Sequence, residues 1–244
     1  MHICDFFTTF APKFVSFMYL MFIAAVLPAL LLGLYIWRKD PQPEPLRWVL
    51  RAFLSGIVIC FPVAFAENII SALLFPAGGP TTLFGTTVEA FFVAAVPEEA
   101  AKLLVLWLFV LRKNPYFDEH FDGIVYAVFV SLGFAAIENV FYVMGSGEGW
   151  MSVAATRALL AVPGHYAFGI LMGYYYSKYH FFNHSRQTAA KILLVPVLAH
   201  GVYDAIAMSG QVDPIAGALS TIVLIYFCVK LHKYAKRKIE ELSR

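Results

Sequence analysis

Long runs of apolar residues, separated by short polar connections, form the dominant pattern of this sequence. A helix needs about 20 consecutive apolar residues to cross the hydrocarbon core of a bilayer, and seven runs reach or approach that length. Because the connections are short, the pattern predicts an all-α, polytopic membrane helix bundle that forms a single domain over residues 1–244. The predicted spans are 15–37, 53–75, 88–111, 122–144, 153–176, 190–209 and 213–231.

The composition agrees with this interpretation. Hydrophobic residues make up 60% of the chain and charged residues 14%, whereas about a quarter of an average soluble domain is charged. Of the three cysteines, Cys60 and Cys228 fall inside apolar spans, and the sequence has no CxxC motif and no Cys/His ligand spacing. The cysteines therefore predict neither a disulfide framework nor a structural zinc site.

The distribution of basic residues predicts the orientation. Lysines and arginines concentrate in the connections after the first, third and fifth spans and in the C-terminal tail, while the other side holds Lys13, Arg157 and little else. Since cytosolic loops carry the excess of basic residues, we expect the N-terminus outside and the C-terminus in the cytosol. Residues 232–244 are predicted to extend the last span as a basic cytosolic helix.

Polar and ionisable residues interrupt several predicted spans. Such residues cost at least about 2.5–3.5 kcal/mol each at the centre of a membrane helix, and they usually face the bundle interior and serve a function. At 1.5 Å per residue, the main ones lie between about 15 and 23 Å from the inner ends of their spans, and thus at a similar depth. Pairs four residues apart also share a helix face. The residues are Glu67, Asn68, Glu98, Glu99, Lys102, Glu138, Asn139, Tyr142, His165, His200 and Asp204.

Proline and glycine residues near these positions predict the local helix shape. Pro97 lacks a backbone donor and clashes with the carbonyl of Val93, so a kink is expected in the third span. Small residues allow helices to approach closely, and they occur near the polar positions of other spans. These are Gly133, Gly164, Gly169 and Gly201.

Four ordered motifs resemble a known family. They are EEAAK at 98–102, DGIVYAVFVSLGFAAIENVFY at 122–142, GHYAFG at 164–169 and HGVYD at 200–204. Together they resemble the PrsW family of intramembrane proteases, which is grouped with the type II CAAX prenyl endopeptidases. The resemblance implies a multi-spanning membrane peptidase with a key glutamate, in a prokaryotic plasma membrane. The family is linked to the cleavage of membrane-anchored anti-sigma factors.

The resemblance covers residues 90–205 and implies a catalytic core of roughly 88–209. One departure is Ala127, where the family pattern leads us to expect glycine; it concerns packing rather than chemistry. The matching residues are Glu98, Glu99, Lys102, Glu138, His165, His200 and Asp204.

Peptide hydrolysis needs an activated water, a stabilised oxyanion and a proton for the leaving amine. Neighbouring helix residues point about 100° apart, so we expect Glu98 to be the general base and Glu99 an ion-paired partner of Lys102. His165 and His200 are candidates for oxyanion stabilisation and proton donation. Asp204 is expected to orient His200, and Glu138 to hold the second histidine or bind water, with Asn139 and Tyr142 in supporting positions.

A catalytic metal is the main alternative within the enzyme hypothesis. Two histidines and a glutamate match a catalytic zinc set, but HExxH is absent and the histidines lie on separate spans. We therefore expect no cofactor, with zinc left as an alternative.

Each of these buried polar residues is also compatible with a purely structural role. Glu98, Glu99 and Lys102 are compatible with a structural ion cluster, His165 with a packing role, and Glu138 with interhelical hydrogen bonding. Glu67 and Asn68 are interpreted as packing or cavity-lining residues, and Asp122 as a helix N-cap.

At the level of the whole protein, a non-catalytic membrane scaffold and a transporter remain alternatives, although the sequence shows no inverted repeats with paired broken helices, which many transporters have. A retinal receptor is disfavoured because the last two spans offer no Schiff-base lysine. The expected partners are the lipid bilayer and a single-pass membrane protein substrate, with no nucleic acid; the oligomeric state is left open.

Overall fold

The computed structural model describes residues 3–242, with side-chain surroundings for residues 16–242. Within this range the chain is helical and contains no strand, as predicted. Residues 1–2 and the last two residues of the predicted tail, 243–244, lie outside the described range, as does the side chain of Lys13. The α-helices are α1 (Ile3–Lys39), α2 (Leu46–Leu74), α3 (Leu83–Val88), α4 (Val96–Val105), α5 (Asp122–Gly145), α6 (Trp150–Thr156), α7 (Val162–Ser177), α8 (Arg186–Met208) and α9 (Pro214–Leu242).

Five helical segments are long and apolar enough to cross a membrane. The other two predicted spans, 88–111 and 153–176, consist of shorter α-helices joined end to end by π-helical turns. The described residues therefore form an all-helical fold with five span-capable helices, and the count of seven spans stays a prediction. The five segments are Ser16–Lys39, Leu46–Leu74, Asp122–Gly145, Arg186–Gln211 and Pro214–Leu242.

Two π-helical turns, Glu89–Ala95 and Arg157–Ala161, each end just before a Val-Pro pair. At these points the backbone N–H of Val96 bonds to the carbonyl of Phe91, and that of Val162 to Arg157, five residues back in each case. A proline four residues after a carbonyl can neither donate to it nor pack closely against it. The wider turn accommodates Pro97 and Pro163. The sequence analysis expected a kink at Pro97, and the structure has a π-helical turn just before it.

Helix α5 forms the centre of the bundle. It packs against α1, α2 and α7. In its most apolar 18-residue stretch 78% is buried, against 17–28% in the corresponding stretches of the other four span-capable segments. Those other helices expose large apolar side chains such as Phe65, Leu73 and Ile222. Apolar faces of this extent need lipid rather than water as their solvent.

Glycines permit backbone contact between α2 and α5. A Cβ atom on Gly133 would lie 2.0 Å from the carbonyl oxygen of Phe53, and one on Gly56 would lie 2.0 Å from that of Val130. The close approach predicted at Gly133 is therefore present. Gly169 and Gly201 are also tightly packed, whereas a Cβ on Gly164 would meet only ordinary contacts from 3.5 Å.

We expect Gly133→Ala to destabilise the protein by about 1–3 kcal/mol, because the added methyl group must push a backbone away. Gly145→Ala is the matched control, since a Cβ there meets nothing within 4 Å. Thermal unfolding of both variants in one detergent measures the difference. Equal midpoints for the two variants would contradict the backbone contact.

Candidate active site

Lys102 lies at the centre of a buried polar cluster. Its Nζ is 2.9 Å from Oε2 of Glu98, 2.8 Å from Oε1 of Glu99 and 3.2 Å from Nδ1 of His165. The ammonium also lies 4.2 Å from the ring centroid of Phe134. Lys102, Glu98 and Glu99 are almost completely buried. One cation therefore holds both carboxylates of the EEAAK motif and links α4 to α7.

His200 connects Glu99 to Asp204. Its Nδ1 lies 3.0 Å from Oε1 of Glu99, and its Nε2 lies 3.1 Å from Oδ2 of Asp204. The expected contact between His200 and Asp204 is thus present. Because a carboxylate accepts at each end of the ring, His200 can satisfy both contacts only when both ring nitrogens carry a proton. Phe168 stacks on the imidazole, with the ring centroids 4.7 Å apart.

His165 is held between Lys102 and Glu138. Lys102 can only donate, so Nδ1 of His165 accepts from it. Its Nε2 then carries the proton and donates to Oε2 of Glu138 at 2.9 Å. Ser131 donates to the backbone carbonyl of His165 at 2.8 Å. These contacts fix the orientation and the tautomer of the ring.

Arg157 also belongs to this cluster. The sequence analysis listed Arg157 only among the basic residues of the outer side. Its Nη2 lies 2.7 Å from Oε2 of Glu138, its Nε donates to Oδ1 of Asn139 at 2.5 Å, and its guanidinium lies 3.9 Å from the ring centroid of Tyr142. The π-helical turn before Pro163 carries this arginine. An arginine inside a predicted span was the available signal.

Asn139 ties this group to α1, since its Nδ2 donates to the backbone carbonyl of Ala25 at 3.1 Å. Asn139 is buried, whereas Tyr142 is exposed. Both side chains contact Arg157, the ion-pair partner of Glu138.

A cavity of about 660 Å³ adjoins the cluster. Glu98 lines it, but Glu99 and Lys102 do not, so the two neighbouring carboxylates have different surroundings. Glu67, interpreted from sequence as packing or cavity-lining, lies on its wall, and its Oε1 has no hydrogen-bond partner among the described residues. The other polar lining residues include Glu89, Glu138, Tyr142, Arg157, His165, His200 and Asp204.

Three of these side chains also form a possible metal-ligand set. Glu98, His165 and His200 each offer one ligand atom, and these atoms lie within 4.8 Å of one another. A carboxylate and two imidazoles are the ligands of several catalytic zinc sites.

Asp122 does not cap its helix as predicted. The N-cap of α5 is Phe121, and the helix begins at Asp122. The Asp122 carboxylate instead accepts the backbone N–H groups of Asp118 and Glu119, at 2.9 and 2.6 Å. It therefore organises the loop before the helix.

A helix bundle with carboxylates and histidines around an internal cavity is compatible with a membrane-embedded hydrolase. A protein-family model described as "PrsW family intramembrane metalloprotease" matches residues 44–231. The chain belongs to the PrsW family of intramembrane proteases, and it is a membrane-embedded peptidase of prokaryotic type that acts on protein. The family assignment made from the sequence is thereby confirmed.

Curated relatives agree with this assignment. A "Protease PrsW" of Geobacillus kaustophilus is 38% identical over 183 residues, which is 74% of this chain and 76% of the relative. The protein of that name in Bacillus subtilis is 36% identical over 184 residues, 74% of this chain and 79% of the relative. That of Clostridioides difficile is 34% identical over 226 residues, 91% of this chain and 90% of the relative. No solved structure gives a significant match.

Proposed function

We propose that the protein hydrolyses peptide bonds in or near the membrane span of single-pass membrane proteins, such as anti-sigma factors. The observation that carries this proposal is the cavity onto which Glu98, His165 and His200 open. The proposal includes seven spans, with the N-terminus outside and the C-terminus in the cytosol. That topology places the cluster at one depth, where a peptide bond of a membrane-inserted substrate can enter.

Glu98 is the general base in this proposal. It lines the cavity, so water and substrate can reach its carboxylate. Glu99 is fully buried, and its Oε1 is engaged by both Lys102 and His200. Glu99 is therefore suited to hold the two cationic groups in place; the sequence analysis expected only its pairing with Lys102.

The histidines supply the remaining chemistry. Glu98 takes a proton from the attacking water, and the developing oxyanion needs donors aimed at it. His200, with both nitrogens protonated, would have to turn one N–H away from its carboxylate partner to stabilise that charge and then protonate the leaving amine. Asp204 and Glu138 hold His200 and His165 in orientation through the contacts described above.

The same residue types suit a catalytic metal, which the description of the family names. In that case Glu98, His165 and His200 would be the ligands. Each imidazole now has contacts at both ring nitrogens, so it would have to release one of them to offer a nitrogen to the ion. A carboxylate on the other nitrogen would then orient the ring, as is common for metal-bound histidines. Bound zinc would polarise the scissile carbonyl and lower the pKa of water. The residues of this chain would then position the ion and the substrate, with Arg157 balancing the charge of Glu138.

Purified protein in liposomes with a single-span substrate tests the proposal. We expect the wild type to give new N-termini that map in or near the span, and Glu98→Gln to give none. Glu148→Gln, the same change at an exposed residue outside the cavity, is expected to behave as wild type. Absence of cleavage by the folded wild type, across substrates identified by N-terminal profiling in a host membrane, would favour the scaffold or the transporter.

Metal content separates the two forms of the mechanism. If the ion is required, the purified wild type holds about one equivalent of zinc, chelation stops cleavage, and His200→Ala loses the metal. Cleavage that persists in metal-free protein would instead support the glutamate mechanism without metal.

A further inference from the structure

A second cluster of carboxylates lies away from the candidate active site. Asp40 and Glu44 belong to the connection between α1 and α2, and Glu119 and Asp122 lie just before and at the start of α5. Along α5, Asp122 is roughly 24 Å from Glu138 at the rise of an α-helix. Asp40, Glu44 and Asp122 are nearly completely buried. The sequence analysis did not identify this group, because its members come from separate connections.

Part of this cluster is satisfied by hydrogen bonds. Oδ1 of Asp40 accepts the backbone N–H of Gln42 at 3.0 Å, and Glu119 accepts from the Gln42 side-chain amide. Glu44 accepts from the hydroxyl of Tyr126. Oδ2 of Asp122 accepts the two loop amides described above. The opposite oxygens, Oδ2 of Asp40 and Oδ1 of Asp122, are buried without a hydrogen-bond partner among the described residues.

The cluster also lacks a counter-charge. Among the described residues, no lysine, arginine or histidine forms an ion pair with Asp40, Glu44, Glu119 or Asp122. Burial raises the pKa of Asp40 to about 6, and the nearby Asp122 and Glu119 add to the rise. Burial likewise raises the pKa of Glu44 to about 8. Several carboxylates thus share a space that favours a positive charge.

We propose that Asp40, Glu119 and Asp122 bind a hard divalent cation, Ca²⁺ or Mg²⁺, at this position. One oxygen from each lies within 4.8 Å of the other two. Ligand oxygens lie 2.3–2.6 Å from Ca²⁺, so two ligands of one ion are at most about 5 Å apart. The two unpartnered oxygens of Asp40 and Asp122 provide the independent indication of a ligand. Carboxylate oxygens without nitrogen or sulfur ligands favour these cations over zinc.

The cation would join the connection after α1 to the start of α5. Because α5 is the central helix and carries Glu138, the ion would fix the end of the helix that supports the candidate active site. The proposal does not depend on the peptidase mechanism, since its ligands lie outside that cluster.

Thermal unfolding with and without Ca²⁺ or Mg²⁺ tests the proposal in wild type, Asp40→Asn and the matched control Asp118→Asn. Asp118 lies in the same loop as Glu119, is exposed and is outside the proposed ligand set. We expect wild type and Asp118→Asn to gain about 5–10 °C at a cation concentration of about 100 times the Kd. Asp40→Asn is expected to lose most of that gain. In chelator, its midpoint should equal or exceed that of the wild type, because carboxylate repulsion is relieved.

Mn²⁺ binding, measured by electron paramagnetic resonance on the purified full chain, gives the stoichiometry. We expect one bound ion to be lost in Asp40→Asn and retained in both Asp118→Asn and Glu98→Gln, which separates this site from the catalytic cluster. No cation-dependent shift in the wild type, or equal shifts in Asp40→Asn and Asp118→Asn, would overturn the proposal. Stabilisation by acid alone, without cation binding, would also overturn it and assign the cluster to shared protons.

Discussion

Replacing Lys102 with methionine is expected to destabilise the protein by about 3–5 kcal/mol, the effect of removing one partner from a buried ion pair. Methionine keeps much of the side-chain length and loses the charge. Glu98 and Glu99 would then face each other without the ammonium that lies 2.9 and 2.8 Å from them. His165 would lose the donor at its Nδ1 as well. Chemical or thermal unfolding in a fixed detergent measures the loss.

Lys113→Met is the matched control, because Lys113 is an exposed residue of the polar connection after α4. Its midpoint is expected to change little. A second variant, Lys102→Met combined with Glu98→Gln, removes the carboxylate that has no other ion pair among the described residues and should recover part of the stability. Equal midpoints for Lys102→Met and Lys113→Met would show that the ammonium does not hold the cluster together.

The clustering of the site could be predicted because two simple regularities constrain it. Apolar runs place residues at calculable depths, and spacing by four residues puts Glu98 with Lys102 and His200 with Asp204 on one helix face. Both pairs are in contact in the structure. The sequence could not say which helices are neighbours, because that depends on packing around α5.

These rules could not predict the π-helical turns. A hydropathy window does not distinguish a π-helical turn from an α-helical one, since both are helical and apolar. Pro97 indicated only that the ladder of hydrogen bonds must change. The segment around Pro163 carried the same signal, and the turn before it brings Arg157 to Glu138.

The second cluster of carboxylates shows a different limit of prediction from sequence. Asp122 has the residue type and position of an N-cap, and local sequence rules therefore favoured that role. In the structure its carboxylate faces backward to the loop and toward Asp40 and Glu119. Contacts between two connections depend on the tertiary arrangement of α1, α2 and α5, which no local pattern encodes.

Glu98→Gln and Glu99→Gln are expected to separate catalysis from stability, although the two residues are adjacent in sequence. Glu98→Gln should lower the cleavage rate by about 10²–10⁴-fold, the usual contribution of a general base. Its unfolding midpoint should stay near that of the wild type, because Lys102 keeps Glu99 as a partner. Glu99→Gln should lower stability by about 1.5–3 kcal/mol, since Lys102 and His200 both lose a charged acceptor.

The comparison is decisive when cleavage rates are normalised to folded protein in the same liposomes. Glu99→Gln acts on the reaction only through the positions of Lys102 and His200, so its normalised rate should exceed that of Glu98→Gln by at least tenfold. The reverse order would make Glu99 the base, and would require its buried carboxylate to become accessible during substrate binding. Equal losses with unchanged midpoints would mean that the two carboxylates act on the water as a pair. In that case the different positions of Glu98 and Glu99 relative to the cavity in the resting structure would not determine their roles.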